Sequence, residues 1–360
     1  MKKRVLSFLT AAVMTTAMIL SGCSGSQTAA TTAAPAATET KAETTAAAKT
    51  EAATTTAAPA EKKEIVVGFS QVGAESDWRT ANTQSMKSTF TEANGYKLIF
   101  DDAQQKQENQ LKAVRNFIQQ DVDYIVIAPV TETGWDTVLQ EAKDAGIPVI
   151  IVDRMINVSD DSLYTAWVGS NFLQEGYDAV AWLDEYLKKN NKADSDINIV
   201  TLQGTIGSSA QIGRTNGVEE KMKDHPKWKM LERQTGEFTQ AKGQEVMESF
   251  LKTYKDINVV IAENDNMAFG AIDAIKAAGK TCGPKGDIII ISFDAVSAAF
   301  DSMIAGDMNV SVECNPLHGP RVAEIIQKLE KGEKVDKIAY VKEGVFPADT
   351  AAAEKPKRQY

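Results

Sequence analysis

The chain has little that would build a metal or redox centre. Its 360 residues include three cysteines and two histidines. There is no Cys-x-x-Cys pair and no cluster of ligating side chains, so neither a metal site nor a cofactor is expected. Nucleotide-binding loops are also missing. Residues 204–209 read Gly-Thr-Ile-Gly-Ser-Ser after a strand pattern. They lack the Gly-Lys-Ser/Thr ending of a P-loop and the Gly-x-Gly-x-x-Gly of a dinucleotide fold. No Gly-x-Ser-x-Gly elbow marks a hydrolase. Positive charge is in deficit, with 39 Lys and Arg against 49 Asp and Glu and a net charge of -10. This argues against nucleic acid as a partner.

The apolar run at residues 8–20 is too short to span a bilayer comfortably. It follows Lys2, Lys3 and Arg4, so residues 1–22 read as an export signal. The signal ends Leu20-Ser21-Gly22-Cys23. That pattern resembles a bacterial lipobox and points to lipid attachment at Cys23; an ordinary signal peptide with an incidental cysteine is the alternative. Residues 23–63 are almost wholly Ala, Thr, Ser, Pro, Glu and Lys. Such a composition cannot bury enough apolar surface to offset its ordering entropy, so this stretch is expected to be a disordered tether. In an exported protein Cys282 and Cys314 can pair, and two free buried thiols are the other reading.

From residue 64 onward, strand and helix patterns alternate. Apolar strands are expected at 64–70, 97–100, 124–128 and 147–152, with helices at 79–94, 107–120 and 134–145. After a strand-like stretch at 164–168 the alternation restarts. Helices at 173–189, 209–223, 241–252 and 267–278 are interleaved with strands at 198–202, 229–235, 258–263 and 288–293. Residues 308–344 add a strand, a helix at 320–331 and a short last strand. The expected fold is α/β, with two similar doubly wound parallel-sheet lobes and a cleft between them.

The informative stretch is Ile147 to Arg154, a β-branched run that ends in Asp153 and Arg154. A strand buried on both faces cannot carry these charges into the core cheaply, so they belong at its carboxyl end, where open α/β sheets place ligands. A carboxylate beside a guanidinium can accept from and donate to vicinal hydroxyls, as a sugar ring requires; a strand-end ion pair without ligand is the plain alternative. Other strand ends supply Ser70-Gln71 with Trp78-Arg79, Glu263-Asn264-Asp265, and Asp294, and the loop at 204–210 precedes a helix bearing Arg214. Each has an ordinary explanation. Trp78 can be core, Asp265 can cap the following helix, and Arg214 can be a solvated charge. Together, aromatic, carboxylate, guanidinium and amide groups at one end of two sheets are the mix that binds sugars.

These segments resemble the sugar-binding proteins of ABC importers, the ribose-binding-like family with the type I periplasmic binding fold. The likeness runs over residues 64–350. It is carried by Val67-Gly68-Phe69-Ser70-Gln71-Val72-Gly73, Ser76-Asp77-Trp78-Arg79, Asp102-Ala103-Gln104-Gln105-Lys106-Gln107-Glu108-Asn109-Gln110, Asp153-Arg154 and Asn264-Asp265-Asn266-Met267. The branch it is most similar to binds galactofuranose. The resemblance implies that Trp78, Arg79, Asp153 and Arg154 face the sugar from one lobe, and Arg214, Phe238, Asn264 and Asp294 from the other. Gln71, Glu75 and Asn171 are further pocket candidates. The last ligand falls within Glu313-Cys314-Asn315, where Glu313 is the candidate. Ala295 departs from the glycine found in many relatives.

The family hinge would run through 167–170, 313–315 and 343–345. The lobes would then be 64–168 with 314–343, and 169–313 with 344–352. The implied protein is a monomeric, extracytoplasmic, lipid-anchored solute-binding protein that closes on a galactofuranose- or galactose-like sugar. It would hand that sugar to a membrane permease and its ATPase, without enzymatic chemistry. A sensor presenting a sugar or autoinducer-2 to a membrane receptor is the alternative.

Overall fold

The structure, a computed structural model, describes residues 64–360. The expected export signal, the lipid site at Cys23 and the tether lie outside the described residues.

Twelve strands form two six-stranded sheets. In chain order the first sheet takes β1 (Ile65–Gln71), β2 (Tyr96–Asp102), β3 (Tyr124–Ile127), β4 (Val149–Val152) and β5 (Ala166–Gly169). The second takes β6 (Ile197–Gln203), β7 (Trp228–Thr235), β8 (Val259–Ala262), β9 (Ile289–Asp294) and β10 (Val310–Glu313). The chain then returns to the first sheet with β11 (Ile338–Tyr340) and ends in the second with β12 (Val345–Pro347). The strand orders are β11-β5-β4-β3-β1-β2 and β12-β10-β9-β8-β6-β7, the same winding twice. All pairs are parallel except β12 on β10. The chain therefore passes between lobes three times, after β5, after β10 and after β11.

The central strands are apolar on both faces, as a sheet covered by helices on both sides requires. In β4, Ile150 and Val152 join one core cluster, and Val149 and Ile151 join the cluster on the opposite face. Gly68 sits in the middle of β1 beneath the Phe117 ring. A Cβ there would lie 2.5 Å from Phe117 Cγ, so glycine is what lets this helix seat on the sheet.

Ten α-helices cover the sheets: α1 (Asp77–Thr89), α2 (Gln107–Gln119), α3 (Asp136–Asp144), α4 (Phe172–Lys189), α5 (Ser209–Met222), α6 (Gln240–Thr253), α7 (Asp265–Ala277), α8 (Ser297–Ala305), α9 (Gly319–Glu330) and α10 (Ala351–Glu354). The helix expected at 79–94 starts earlier and stops earlier. Ser76 caps it by accepting the Arg79 N–H, and Gly95 instead ends a separate 3-10 turn at Glu92–Asn94. The helix α8 was not expected from sequence. It fills the crossover between β9 and β10 and ends at Gly306, whose φ of +87° is the left-handed stop that glycine allows.

Cys282 and Cys314 are free and buried, which settles the alternative left open above. The chain beyond 352 also packs onto the second lobe. The Ser297 N–H donates to the Tyr360 carbonyl at 2.7 Å, and the Arg358 guanidinium lies 4.7 Å from the Phe346 ring centroid. Among the described residues, no helix is long and apolar enough to cross a membrane.

Candidate functional site

The carboxyl ends of both sheets face a small cavity, about 20 Å³ with the lobes closed as they are here. The cavity is lined by Glu75, Ser76, Trp78, Arg79, Asp153 and Arg154 on the first-lobe side. Phe172, Ala210, Arg214, Phe238, Asn264, Asp294 and the hinge residue Cys314 complete it.

On the first-lobe side, β4 delivers Asp153 at its end with φ +62°. The left-handed backbone turns the carboxylate away from the strand direction and into the cleft, at a cost of about 1–3 kcal/mol that the surrounding packing must offset. Phe238 (φ +61°) and Asp294 (φ +105°) are held in the same region of φ. Three cavity-lining residues thus carry backbone strain, as functional sites often do. Arg79 Nη2 lies 2.8 Å from Asp153 Oδ2, and Arg79 Nε donates to Glu75 at 3.0 Å. Arg154 donates to the Val130 carbonyl at 3.1 Å and lies 3.7 Å from Glu75. Burial pulls the Arg79 guanidinium down, but Asp153 and Glu75 together outweigh it and its net shift is upward. Burial and then the neighbouring Arg79 bring Arg154 down to about 10. Glu75 Oε2 is buried and accepts no hydrogen bond, which leaves an acceptor for a ligand hydroxyl.

On the second-lobe side, Arg214 of α5 organises the wall. Its Nε donates to Glu175 at 2.6 Å, its Nη2 to Asp294 at 3.2 Å, and its Nη1 to the Glu263 carbonyl. It stands 4.8 Å from the Phe293 ring centroid, a cation–π contact. Burial drives the Asp294 carboxyl well above its usual range, although Arg214 opposes the shift.

Aromatic rings close the cavity from both sides. Trp78, although on α1, packs with the second lobe's core cluster. Its indole N–H donates to the Cys314 carbonyl at 2.6 Å. The Arg154 guanidinium lies 5.0 Å from the Phe238 ring centroid. Around the rim, Asp77 N–H donates to Asn266 Oδ1 at 3.0 Å, Met155 N–H to Ser209 Oγ at 2.7 Å, and Glu132 N–H to the Gly207 carbonyl at 2.9 Å. These bonds join the lobes in a closed conformation.

Nine of the twelve sequence-named residues meet at this cavity: Trp78, Arg79, Asp153, Arg154, Arg214, Phe238, Asn264, Asp294 and Glu75. The other three do not line it. Gln71 is buried one layer behind, where its Oε1 accepts from Arg79 and its Nε2 donates to Asn82. Asn171 is exposed and caps α4 by accepting the Gln174 N–H at 3.1 Å. Glu313 turns toward the C-terminal tail, 2.6 Å from Arg358 and 2.8 Å from the Tyr360 hydroxyl. Its neighbour Cys314 faces the cavity instead. Asp265 is not a helix cap. Asn264 fills that role by accepting the Met267 N–H at 2.9 Å, while Asp265 accepts from Ser292, Ser311 and the Val296 amide. Ser76, Phe172 and Ala210 line the cavity but were not among the expected ligand residues. Phe172 carried a usable signal, since it lies two residues after the first expected hinge segment.

The donor atoms of Glu175, Cys314 and Glu343 are the group, among the described residues, close enough together to hold an ion.

Residues 67–334 match the family model described as a periplasmic binding protein domain. The chain is 44% identical over 299 residues to the galactofuranose-binding protein YtfQ of Escherichia coli (strain K12), covering 82% of this chain and 92% of that protein. A structure from Mycobacterium smegmatis in complex with β-D-fucofuranose superposes with a TM-score of 0.78 at 44% identity, over 82% of this chain and 95% of that one. The periplasmic binding component of the arabinose ABC transporter of Shewanella sp. ANA-3, bound to α- and β-L-arabinofuranose, gives a TM-score of 0.76 at 47% identity, over 82% and 95%. With two equally wound lobes shut on a polar cavity and relatives of this kind along most of its length, the chain belongs to the periplasmic binding protein family, and its relatives are the sugar-binding proteins of ABC importers.

Proposed function

We propose that the protein captures a single monosaccharide in its five-membered-ring form, galactofuranose or a close analogue, and delivers it to a membrane permease driven by its ATPase. The observation that carries this is the pairing of Asp153, Glu75, Arg79 and Arg154 on one wall with Arg214, Asp294 and the Phe238 ring on the other. Carboxylate and guanidinium groups address hydroxyls in pairs, and the rings take the C–H face of the sugar. A ligand that touches both walls stabilises the closed arrangement over an open one, and this differential contact is the whole of the mechanism. The protein acts as a monomer and catalyses no covalent step. It works outside the cytoplasm, held to the membrane by lipid on Cys23. The relatives' furanose ligands support the choice of ring form.

Calorimetric titration tests this. Galactofuranose is expected to bind at full stoichiometry. Galactose and L-arabinose are expected to bind at low apparent stoichiometry, because only part of each is in the furanose form, and methyl galactopyranoside is expected to be silent. Full-stoichiometry binding of the locked pyranoside would overturn the ring-form assignment.

A further inference from the structure

On the hinge side of the cavity, one donor atom each from Glu175, Cys314 and Glu343 lies within 4.8 Å of the others. Glu343 belongs to the third passage between the lobes. Its Oε1 accepts the Ser170 hydroxyl from the first passage at 2.6 Å and the Asn315 N–H from the second at 2.7 Å. One carboxylate oxygen thus ties together all three hinge segments. Glu175 stands on α4. Its Oε2 is held by Arg214, and its buried Oε1 accepts no hydrogen bond.

A bound cation is not needed to explain this group. Glu343 Oε1 already accepts two hydrogen bonds, Glu175 Oε2 is paired with Arg214, and the Cys314 thiol lies 3.2 Å from the Ser170 hydroxyl. What remains is a buried carboxylate oxygen without a donor, beside a second carboxylate. The charges point the same way. Arg79, Arg154 and Arg214 face Glu75, Asp153, Glu175, Asp294 and Glu343 around the cavity and its hinge side. Three cations do not balance five carboxylates, of which Glu343 is half-buried, and adjacent carboxylates relieve such an excess by sharing a proton.

The other charged groups nearby do not change the balance. Glu313 is neutralised by Arg358. Asp178 faces Glu175 from the next turn of α4 and accepts from Gln174. Glu263 and Asp265 are further buried acids near Arg214, bonded to hydroxyls and backbone amides. Lys342 is exposed.

We propose that closing the cleft takes up a proton, held between Glu175 and Glu343 at the hinge, so that sugar capture is linked to pH. The proposal rests on reading the protein as a trap that closes on sugar. Burial, and then Glu175, pushes Glu343 up to about 8, and burial pushes Glu175 up to about 7. In an open form reached by solvent, both titrate nearer the ordinary glutamate value of about 4.3. Between these limits closure binds a proton that the open form lacks. The closed form is then favoured most at the acid end, loses ground as pH rises, and levels off above about 8. A Glu343→Gln side chain keeps an oxygen for Ser170 and Asn315 and carries no charge. It therefore mimics the protonated state.

The experiment is calorimetry of L-arabinose binding to the full protein in buffers of different ionisation enthalpy. Near pH 6.5 the parent is expected to take up close to one proton per sugar bound. Its affinity is expected to fall by up to about tenfold per pH unit on going toward pH 8. Glu343→Gln is expected to take up clearly less than the parent, because Glu175 still titrates, to bind with a shallower pH dependence, and to exceed the parent's affinity at about pH 9. Zero uptake by the parent overturns the proposal, and so does equal uptake by the variant. If no sugar binds, the capture reading fails instead, and the proton site is decided by carbon-13 NMR titration of glutamate-labelled protein. A carboxyl that titrates near neutrality and is lost in Glu343→Gln supports the site, and glutamates that all titrate in the ordinary range overturn it.

Discussion

The two walls of the cavity use the same side-chain types in different balance. The first-lobe wall sets two guanidiniums, Arg79 and Arg154, against two carboxylates, Asp153 and Glu75. The second-lobe wall has one guanidinium, Arg214, between Glu175 and Asp294. The first wall compensates its charges within its own lobe. The second depends on a single cation. Two lobes with one winding thus carry different electrostatic balances.

Removing each wall's central group should expose that difference. Arg214→Ala leaves Glu175 and Asp294 buried without a partner, and loss of one member of a buried pair typically costs 3–5 kcal/mol, about what is expected here in denaturant unfolding. Sugar binding should be lost with it. Asp153→Asn has a smaller effect on folding, because Arg79 keeps Glu75. Its effect should appear in affinity, a loss of about 2–3 kcal/mol by calorimetry for a charge-assisted hydrogen bond. Comparable stability losses in the two variants would mean that the walls are equivalent.

The lobes should also diverge with pH. Burial holds His318, behind Trp78, down at about 4. Its folded value lies below the unfolded 6.5, so it contributes stability that is present above pH 6.5 and is lost as pH falls toward 4. Burial lifts Glu263 to about 7 and Asp265 to about 6 in the second lobe. Their folded values lie above the unfolded ones, so their contribution is full at low pH and is lost as pH rises toward 7. Hydrogen exchange, corrected for intrinsic rates, should show the amides of β1, β3 and β4 losing protection at pH 5 and those of β6, β8 and β9 losing it at pH 8. Parallel changes in both sheets would contradict this. The smallest effect is expected at Asn171. Asn171→Ala removes an exposed helix cap, should cost about 1 kcal/mol in unfolding, and should leave affinity unchanged, since the side chain is outside the cavity.

Most of the fold could be read from sequence because its strands are buried on both faces and its helices carry one apolar stripe, patterns with clear periods. The helix α8 escaped because Ser297 to Ala305 is apolar on nearly every side and follows an apolar strand, so no change of period marks it. At the site, Asp153 and Arg154 stood out because charge interrupts an apolar run. Glu313 and Cys314 show the limit. Consecutive residues of an extended chain point to opposite sides, so an uncertainty of one position exchanges a tail contact for a cavity wall. Asn171 sat at the right place in the chain, but its side chain was committed to the backbone of α4. The Glu175–Glu343 pairing joins residues far apart in the chain, and no local pattern announces it.

The three passages between lobes also bear on how the chain is made. A nascent chain that stops before about residue 340 lacks β11 and β12, the edge strand of each sheet. If it stops before α9 it also lacks the helix whose Gly319 N–H donates to Ser85 Oγ across 234 residues. Neither lobe can finish folding while the last segment is unmade, and closing loops of such length is slow. Each lobe is thus completed only by the last stretch of the chain, so the two finish together rather than one after the other.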